Sequence, residues 1–162
     1  MRRASLTVSD QRLFHYSREA IFDVLSDFGS YHAWWPPAHG VRVGGPLPAQ
    51  PGTTIWFAYG PFVRWAVEVV DVRPPVLLAL RYSDGALRGE AAWRLEADRA
   101  GCTRVTYDID IEPTPAWLRA ISRVWNLQPE HSRQIARVFT ALDRRVAAVS
   151  RRRPGPACCA AG

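Results

Sequence analysis

Between Thr103 and Glu112 the chain alternates without a slip. Val105, Tyr107, Ile109 and Ile111 fall on one parity, and Arg104, Thr106, Asp108, Asp110 and Glu112 on the other. Successive side chains of a strand point to opposite faces, so this segment is a strand with one apolar and one wet face. A half-wet strand belongs to an antiparallel sheet, because parallel sheets are covered on both sides. The preceding segment supplies the neighbours. Val41–Val43, Thr53–Tyr59, Phe62–Val72, Val76–Tyr82 and Gly89–Ala97 read as short strands. The stretches between them carry turn residues: Gly44-Gly45-Pro46 through Pro51-Gly52, Gly60-Pro61, Pro74-Pro75, Ser83-Asp84-Gly85, and Asp98 through Gly101 beside Cys102. Strands joined by such turns make a meander.

The flanks are different. Residues 5–14 alternate loosely and predict a first strand. Ser17 is placed to cap a helix in which Ile21, Val24, Leu25 and Phe28 share one face, with Glu19 in the first turn and Gly29 at its end. A second short helix, Ser30 to Trp35, is stopped by Pro36-Pro37. After the last strand, Trp117, Leu118, Ile121, Val124 and Trp125 form one helical stripe and Ile135, Val138, Leu142, Val146 and Val149 another. Pro129 either kinks one helix or opens a second near its start. Arg133, Arg137 and Arg144 point away from the second stripe.

This order predicts an α+β fold. A curved antiparallel sheet of six to seven strands wraps a long C-terminal helix, with two short helices after strand 1. The apolar face of such a sheet must be covered, and the C-terminal helix is the large cover available. A long twisted sheet curls around it, and one helix does not fill the whole hollow. The remaining space becomes a pocket lined by inward aromatic residues. Residues 1–151 form this single domain, and residues 152–162 are expected to be a disordered Arg/Pro/Ala tail.

Composition excludes several alternatives. The chain has 48% hydrophobic residues and seven tryptophans, and no apolar run of about 18 residues that would span a membrane. No apolar leader segment follows Met1, so the expected location is cytoplasmic. The net charge is +6, but Arg2, Arg3, Arg151, Arg152 and Arg153 account for five of the 21 basic residues. The body keeps 16 against 15 acids, so no specific nucleic-acid partner is expected. Every basic residue is arginine, which points to a GC-rich bacterial genome and removes lysine Schiff-base chemistry. Cys102, Cys158 and Cys159 make no CxxC spacing, and His15, His32 and His39 have no metal-ligand spacing. No metal and no cofactor is expected, and the assembly is expected to be a monomer or homodimer.

Several stretches carry a family resemblance. They are Arg18-Glu-Ala-Ile-Phe-Asp-Val-Leu-Ser-Asp-Phe28, Tyr31-His-Ala-Trp-Trp-Pro36, Gly52-Thr-Thr, Val69-Val-Asp-Val-Arg-Pro-Pro75, Leu87-Arg-Gly-Glu-Ala-Ala-Trp-Arg-Leu95, Gly101-Cys-Thr-Arg-Val-Thr-Tyr107 and the terminal helix with His131. In this order, over residues 5–150, the chain resembles the START/Bet v 1-like (SRPBCC) superfamily. More closely, it is similar to the bacterial polyketide cyclase/dehydrase and lipid-transport family. The resemblance implies the helix-grip fold. It also implies a hydrophobic small-molecule ligand (a lipid, isoprenoid or polyketide-like compound) held in an internal cavity by a carrier or sensor. The alternative is a polyketide cyclase/dehydratase that positions a flexible chain and assists with acid–base groups.

Candidate ligand-binding residues follow. Trp34 and Trp35 stand near the expected pocket mouth. Being adjacent on a short helix, they cannot both face inward. Tyr59, Trp65, Tyr82, Trp93 and Tyr107 lie on strands, and the inward tyrosines need partners that a ligand oxygen can supply. His131 lies on the stripe of Ile135 and Val138 and so points at the sheet. For each of these residues, ordinary core packing is the competing reading. For catalysis, Tyr82, Tyr107 and His131 are the candidates. The family's cyclases use a pocket arginine, but Arg64 and Arg94 alternate to the outer face. Asp108, Asp110 and Glu112 read as solvent-facing. A third reading, protein binding, would need an exposed patch of Trp34, Trp35 and Trp117.

Overall fold

The computed structural model describes residues 5–36, 39–98, 101–124 and 128–152. Seven strands form one antiparallel sheet: β1 (Leu6–Phe14), β2 (His39–Gly44), β3 (Thr54–Tyr59), β4 (Val63–Arg73), β5 (Leu77–Gly85), β6 (Leu87–Ala97) and β7 (Thr103–Pro113). Their order is β1-β7-β6-β5-β4-β3-β2, so consecutive strands are neighbours except where β1 closes onto β7. Among the described residues, four α-helices accompany the sheet: α1 (Arg18–Ser26), α2 (Tyr31–Trp34), α3 (Ala116–Val124) and α4 (Gln128–Arg152). The curved sheet wraps α4, the helix-grip arrangement. Among the described residues, no helix is long and apolar enough to cross a membrane.

Alternation does its expected work in β7, where Val105, Tyr107, Ile109 and Ile111 are all buried and Arg104, Asp110 and Glu112 are exposed. Asp108 and Asp110 accept hydrogen bonds from Ser9 (2.6 Å) and Thr7 (2.9 Å) on the outer face, which settles them as surface groups. In β4 the register shifts between Ala66 and Val67 and again between Val69 and Asp71. Such irregularities bend a strand and deepen its twist, which helps the sheet curl.

Local chemistry moves several boundaries. Helix α1 starts as expected, with Ser17 Oγ accepting from the Ala20 amide at 3.3 Å. It stops at Ser26 rather than at Gly29. The Ser26 hydroxyl bonds back to the Phe22 carbonyl at 2.8 Å, and Phe28 opens a separate 3-10 turn while remaining buried. The expected turn at Ser83-Asp84-Gly85 is strand instead, and the reversal falls at Ala86. Gly85 has φ +90, and a Cβ there would run into the backbone of Arg64 and Trp65. The glycine thus serves a close strand-to-strand approach rather than a turn.

At the C-terminus Pro129 stands in the first turn of a separate helix, α4. Ile135, Val138, Leu142 and Val146 are buried as the stripe required, and so is Phe139. Phe139 packs edge-on to Phe14 (6.0 Å) and Trp93 (5.9 Å). The α3 stripe behaves differently: Trp117 is 49% and Ile121 45% exposed, so this helix does not cover the sheet. The side chains of Val124 and Trp125 lie outside the described residues, as does the expected tail of residues 152–162 apart from Arg152, which closes α4.

Candidate functional site

Between the inner face of the sheet and the N-terminal half of α4 lies a cavity of about 270 Å³. The part of its wall formed by Tyr82 and Tyr107 is shaped by β6. The inner positions of this central strand run Leu87, Gly89, Ala91, Trp93, Leu95, so the two smallest residues sit side by side. Tyr82 of β5 is opposite Gly89, and Tyr107 of β7 is opposite Trp93. The two phenols reach across the gap left by Gly89 and Ala91, and their hydroxyl oxygens are 3.1 Å apart. Gly89 has φ +141, and its absent Cβ would collide with the Asp110 backbone carbonyl and Ile111 Cα. No other residue type suits that position.

The structure brings seven of the eight candidate residues to this cavity: Trp35, Tyr59, Trp65, Tyr82, Trp93, Tyr107 and His131. Trp34 is not among them. It is buried against Tyr31 (4.8 Å, edge-on) and faces a separate shallow hollow beside α4. Trp35 turns the other way, stacking on Tyr31 at 5.0 Å and leaning on Phe57 at 5.3 Å. Both indoles are turned inward, against the expectation that these adjacent residues could not both be: Trp35 is the C-cap of α2 with extended backbone and is no longer bound by the helical spacing. Trp65 stacks on Phe57 at 5.6 Å, and Tyr59 is a half-exposed rim residue at the end of β3. Trp93 is fully buried against Tyr107, 4.3 Å between ring centroids. Because Trp34 and Trp35 are turned inward, Trp117 alone of the imagined surface patch is exposed.

The lining is mostly hydrocarbon. Tyr31 shows what a committed phenol looks like here: its hydroxyl donates to the Leu25 carbonyl at 2.6 Å, and its pKa is pushed up first by burial and then by Asp27. Among the described residues, Tyr82 and Tyr107 have only each other as hydrogen-bond partners. Two hydroxyls carry two hydrogens, and their mutual bond uses one. The second remains available to a ligand acceptor. Burial raises both pKa values; Tyr107 is raised well above the usual phenol, with Tyr82 adding to the effect. Both are therefore neutral donors at any physiological pH. Trp35 Nε1 is also buried without a hydrogen-bond partner.

His131 lies in the first turn of α4, its ring nearly parallel to that of Tyr107 (12°, centroids 6.4 Å apart). Burial lowers its pKa, and the nearby Asp10 opposes that shift. Asp10 and Gln134 were missed from the sequence. Asp10 shares the inward parity of Leu6 and Val8, so the alternation of β1 was a usable signal. Gln134 lines the cavity one turn after His131. No arginine lines the cavity among the described residues, so the family's pocket arginine has no counterpart there.

The sequence matches the family model described as polyketide cyclase / dehydrase and lipid transport over residues 5–149. No curated protein matches it. Among solved structures, the Zhui aromatase/cyclase from Streptomyces is similar at 16% identity and TM-score 0.71, covering 93% of this chain and 97% of its own. A START superfamily protein from Mycobacterium smegmatis is similar at 17% identity and TM-score 0.66, covering 88% and 98%. A norcoclaurine synthase point mutant from Thalictrum flavum, in complex with a transition state analogue, is similar at 12% identity and TM-score 0.68, covering 93% and 99%. At such identities the likeness is one of fold.

Proposed function

This chain belongs to the polyketide cyclase/dehydrase and lipid transport family, and from that premise we propose that it holds a hydrophobic small molecule in the cavity under α4, as a carrier or sensor. The observation that carries this reading is the cavity itself: about 270 Å³, lined mostly by aromatic and aliphatic side chains. That volume is near the lower end for small-molecule sites, about 300 Å³, which suits a ligand of one to three rings better than a diacyl lipid. Affinity would come mainly from apolar area removed from water, at about 25 cal/mol per Å². Native mass spectrometry of the protein purified from a lipid-rich host, with solvent extraction of the same sample, tests it. One apolar molecule bound per chain is expected. A chain that stays empty in every host and with every added ligand removes the reading.

A second reading, polyketide cyclase or dehydratase, is favoured by the meeting of Tyr82, Tyr107 and His131 at one part of the wall. A polar cluster facing an otherwise apolar hollow can orient a flexible poly-ketone and assist proton transfer, with positioning as the larger contribution. Incubation with a reactive poly-ketone mimic should change the ring products formed. Replacing Tyr82 and Tyr107 by Phe and His131 by Gln together should abolish the change, and unaltered products would end this reading.

A further inference from the structure

Arg12 is exposed, whereas Asp10, at the same inward parity, is the charged residue of β1 that stays partly buried. Its neighbours at that parity are Leu6 and Val8, and no helix cap or turn needs a carboxylate there. Its Oδ2 lies 3.8 Å from His131 Nδ1, with the two side chains 21% and 18% exposed. Both of these atoms are buried, and neither has a hydrogen-bond partner among the described residues. The separation exceeds a hydrogen bond by less than about 1 Å, and such contacts tighten when a ligand is seated.

The other charged groups around His131 are already engaged, and Gln134, whose Nε2 is bonded to Glu130, keeps a buried Oε1 without a partner among the described residues. Glu130 accepts from Arg133 (2.9 Å) and from Gln134 (3.0 Å). Arg12, the next inward position of β1, donates to Thr140 at 3.1 Å. From β7 comes Tyr107, whose hydroxyl is turned to Tyr82. Asp10 is therefore the anion that His131 meets.

We propose that Asp10 and His131 form a carboxylate–imidazole pair that accepts the proton of an acidic hydroxyl, a phenol or an enol, on a ligand seated in the cavity. The inference rests on the reading of the cavity as a ligand site. With Nδ1 turned to Asp10, Nε2 is the nitrogen left to serve the cavity. The ligand O–H bond breaks, its electron pair stays on the ligand oxygen, and an Nε2–H bond forms. The Nδ1–H of the resulting imidazolium is held by the Asp10 carboxylate, in the manner of a base and its orienting acid. The spare hydroxyl hydrogen of the Tyr82–Tyr107 pair is available to the ligand oxyanion. Burial, which keeps His131 neutral beforehand, leaves it able to accept. Asp10 acts through His131 and is a positioning residue.

The test uses the full chain with two probes, 2-naphthol and 2-methoxynaphthalene, and ¹⁵N-histidine NMR. The wild type is expected to bind 2-naphthol about tenfold tighter than the methyl ether, the size of one well-made hydrogen bond to a charged pair. Asp10→Asn, whose side chain does not line the cavity, should reduce that preference to about twofold or less while binding the ether as before, and His131→Gln should lose the preference whatever its affinity for the ether. In the NMR spectrum, His131 of the wild type should hold its proton on Nδ1, and Asp10→Asn should mix the tautomers and lower the titration midpoint. An unchanged naphthol preference and an unchanged tautomer in Asp10→Asn would overturn the pair while leaving the cavity standing. Failure of the wild type to bind either probe would overturn the ligand-site reading, and the pair with it.

Discussion

Tyr82 and Tyr107 share a buried hydrogen bond of 3.1 Å although they stand on β5 and β7, strands that do not touch because β6 runs between them. The bridge exists because β6 presents Gly89 and Ala91 to the inside at that level. A larger residue at Ala91 would crowd the phenols, and at Gly89 any Cβ would run into the β7 backbone.

Removing one hydroxyl leaves the other buried and unpartnered. Tyr82→Phe or Tyr107→Phe alone should each cost about 1–2 kcal/mol, whereas the double variant should cost no more than the worse single one. Urea denaturation of the four-member cycle measures this. Additive losses would show that the two phenols do not depend on each other.

Gly89 carries a backbone angle that L-residues rarely adopt and has the Asp110 carbonyl where a Cβ would go. Gly89→Ala should destabilise the fold by about 2–3 kcal/mol, read as a fall in the midpoint of thermal or urea unfolding. Gly52 also has positive φ, but nothing lies within 4 Å of its Cβ position, so Gly52→Ala should cost distinctly less.

His131 is held below its ordinary pKa by burial. The unfolded chain binds its proton more readily than the folded one, so stability should decline as pH falls through about 6.5. In His131→Gln that part of the decline should vanish and the pH–stability curve should be flatter between about pH 7 and 5. In Asp10→Asn the decline should be steeper, because the one influence raising the His131 pKa is gone. Identical slopes in all three proteins would show that His131 does not titrate differently in the folded state.

Much of this was legible beforehand, for identifiable reasons. Period-two alternation gave β7 its buried and wet faces, and the Ser17 cap fixed the start of α1. Side-chain parity placed Trp65, Trp93 and Tyr107 on inward faces, and the helical stripe of Ile135 and Val138 did the same for His131. What escaped depends on contacts between distant segments. Gly85 looks like a turn residue in isolation; only the approach of Arg64 shows that it serves a strand pair. Trp34 and Trp35 are equivalent in composition, and the ring stack of Trp35 with Tyr31 and its lean on Phe57 decide which one reaches the cavity. Phe139 was absent from the expected stripe because it extends the buried arc of α4 toward Phe14 and Trp93. Asp10 was overlooked because an acid in a loose strand pattern reads as surface until its parity is followed.

The central claim is that α4 lies in the bent sheet without filling the space beneath it. Titration with the apolar fluorophore N-phenyl-1-naphthylamine tests it most directly when wild type and Val138→Phe are compared. Val138 is buried on α4 and lines the cavity, so phenylalanine there should occupy the hollow at a stability cost of about 1–3 kcal/mol. The account predicts one saturable site in the wild type and binding at least about tenfold weaker in the folded variant. No saturable binding by the wild type, or equal binding by Val138→Phe, would contradict it.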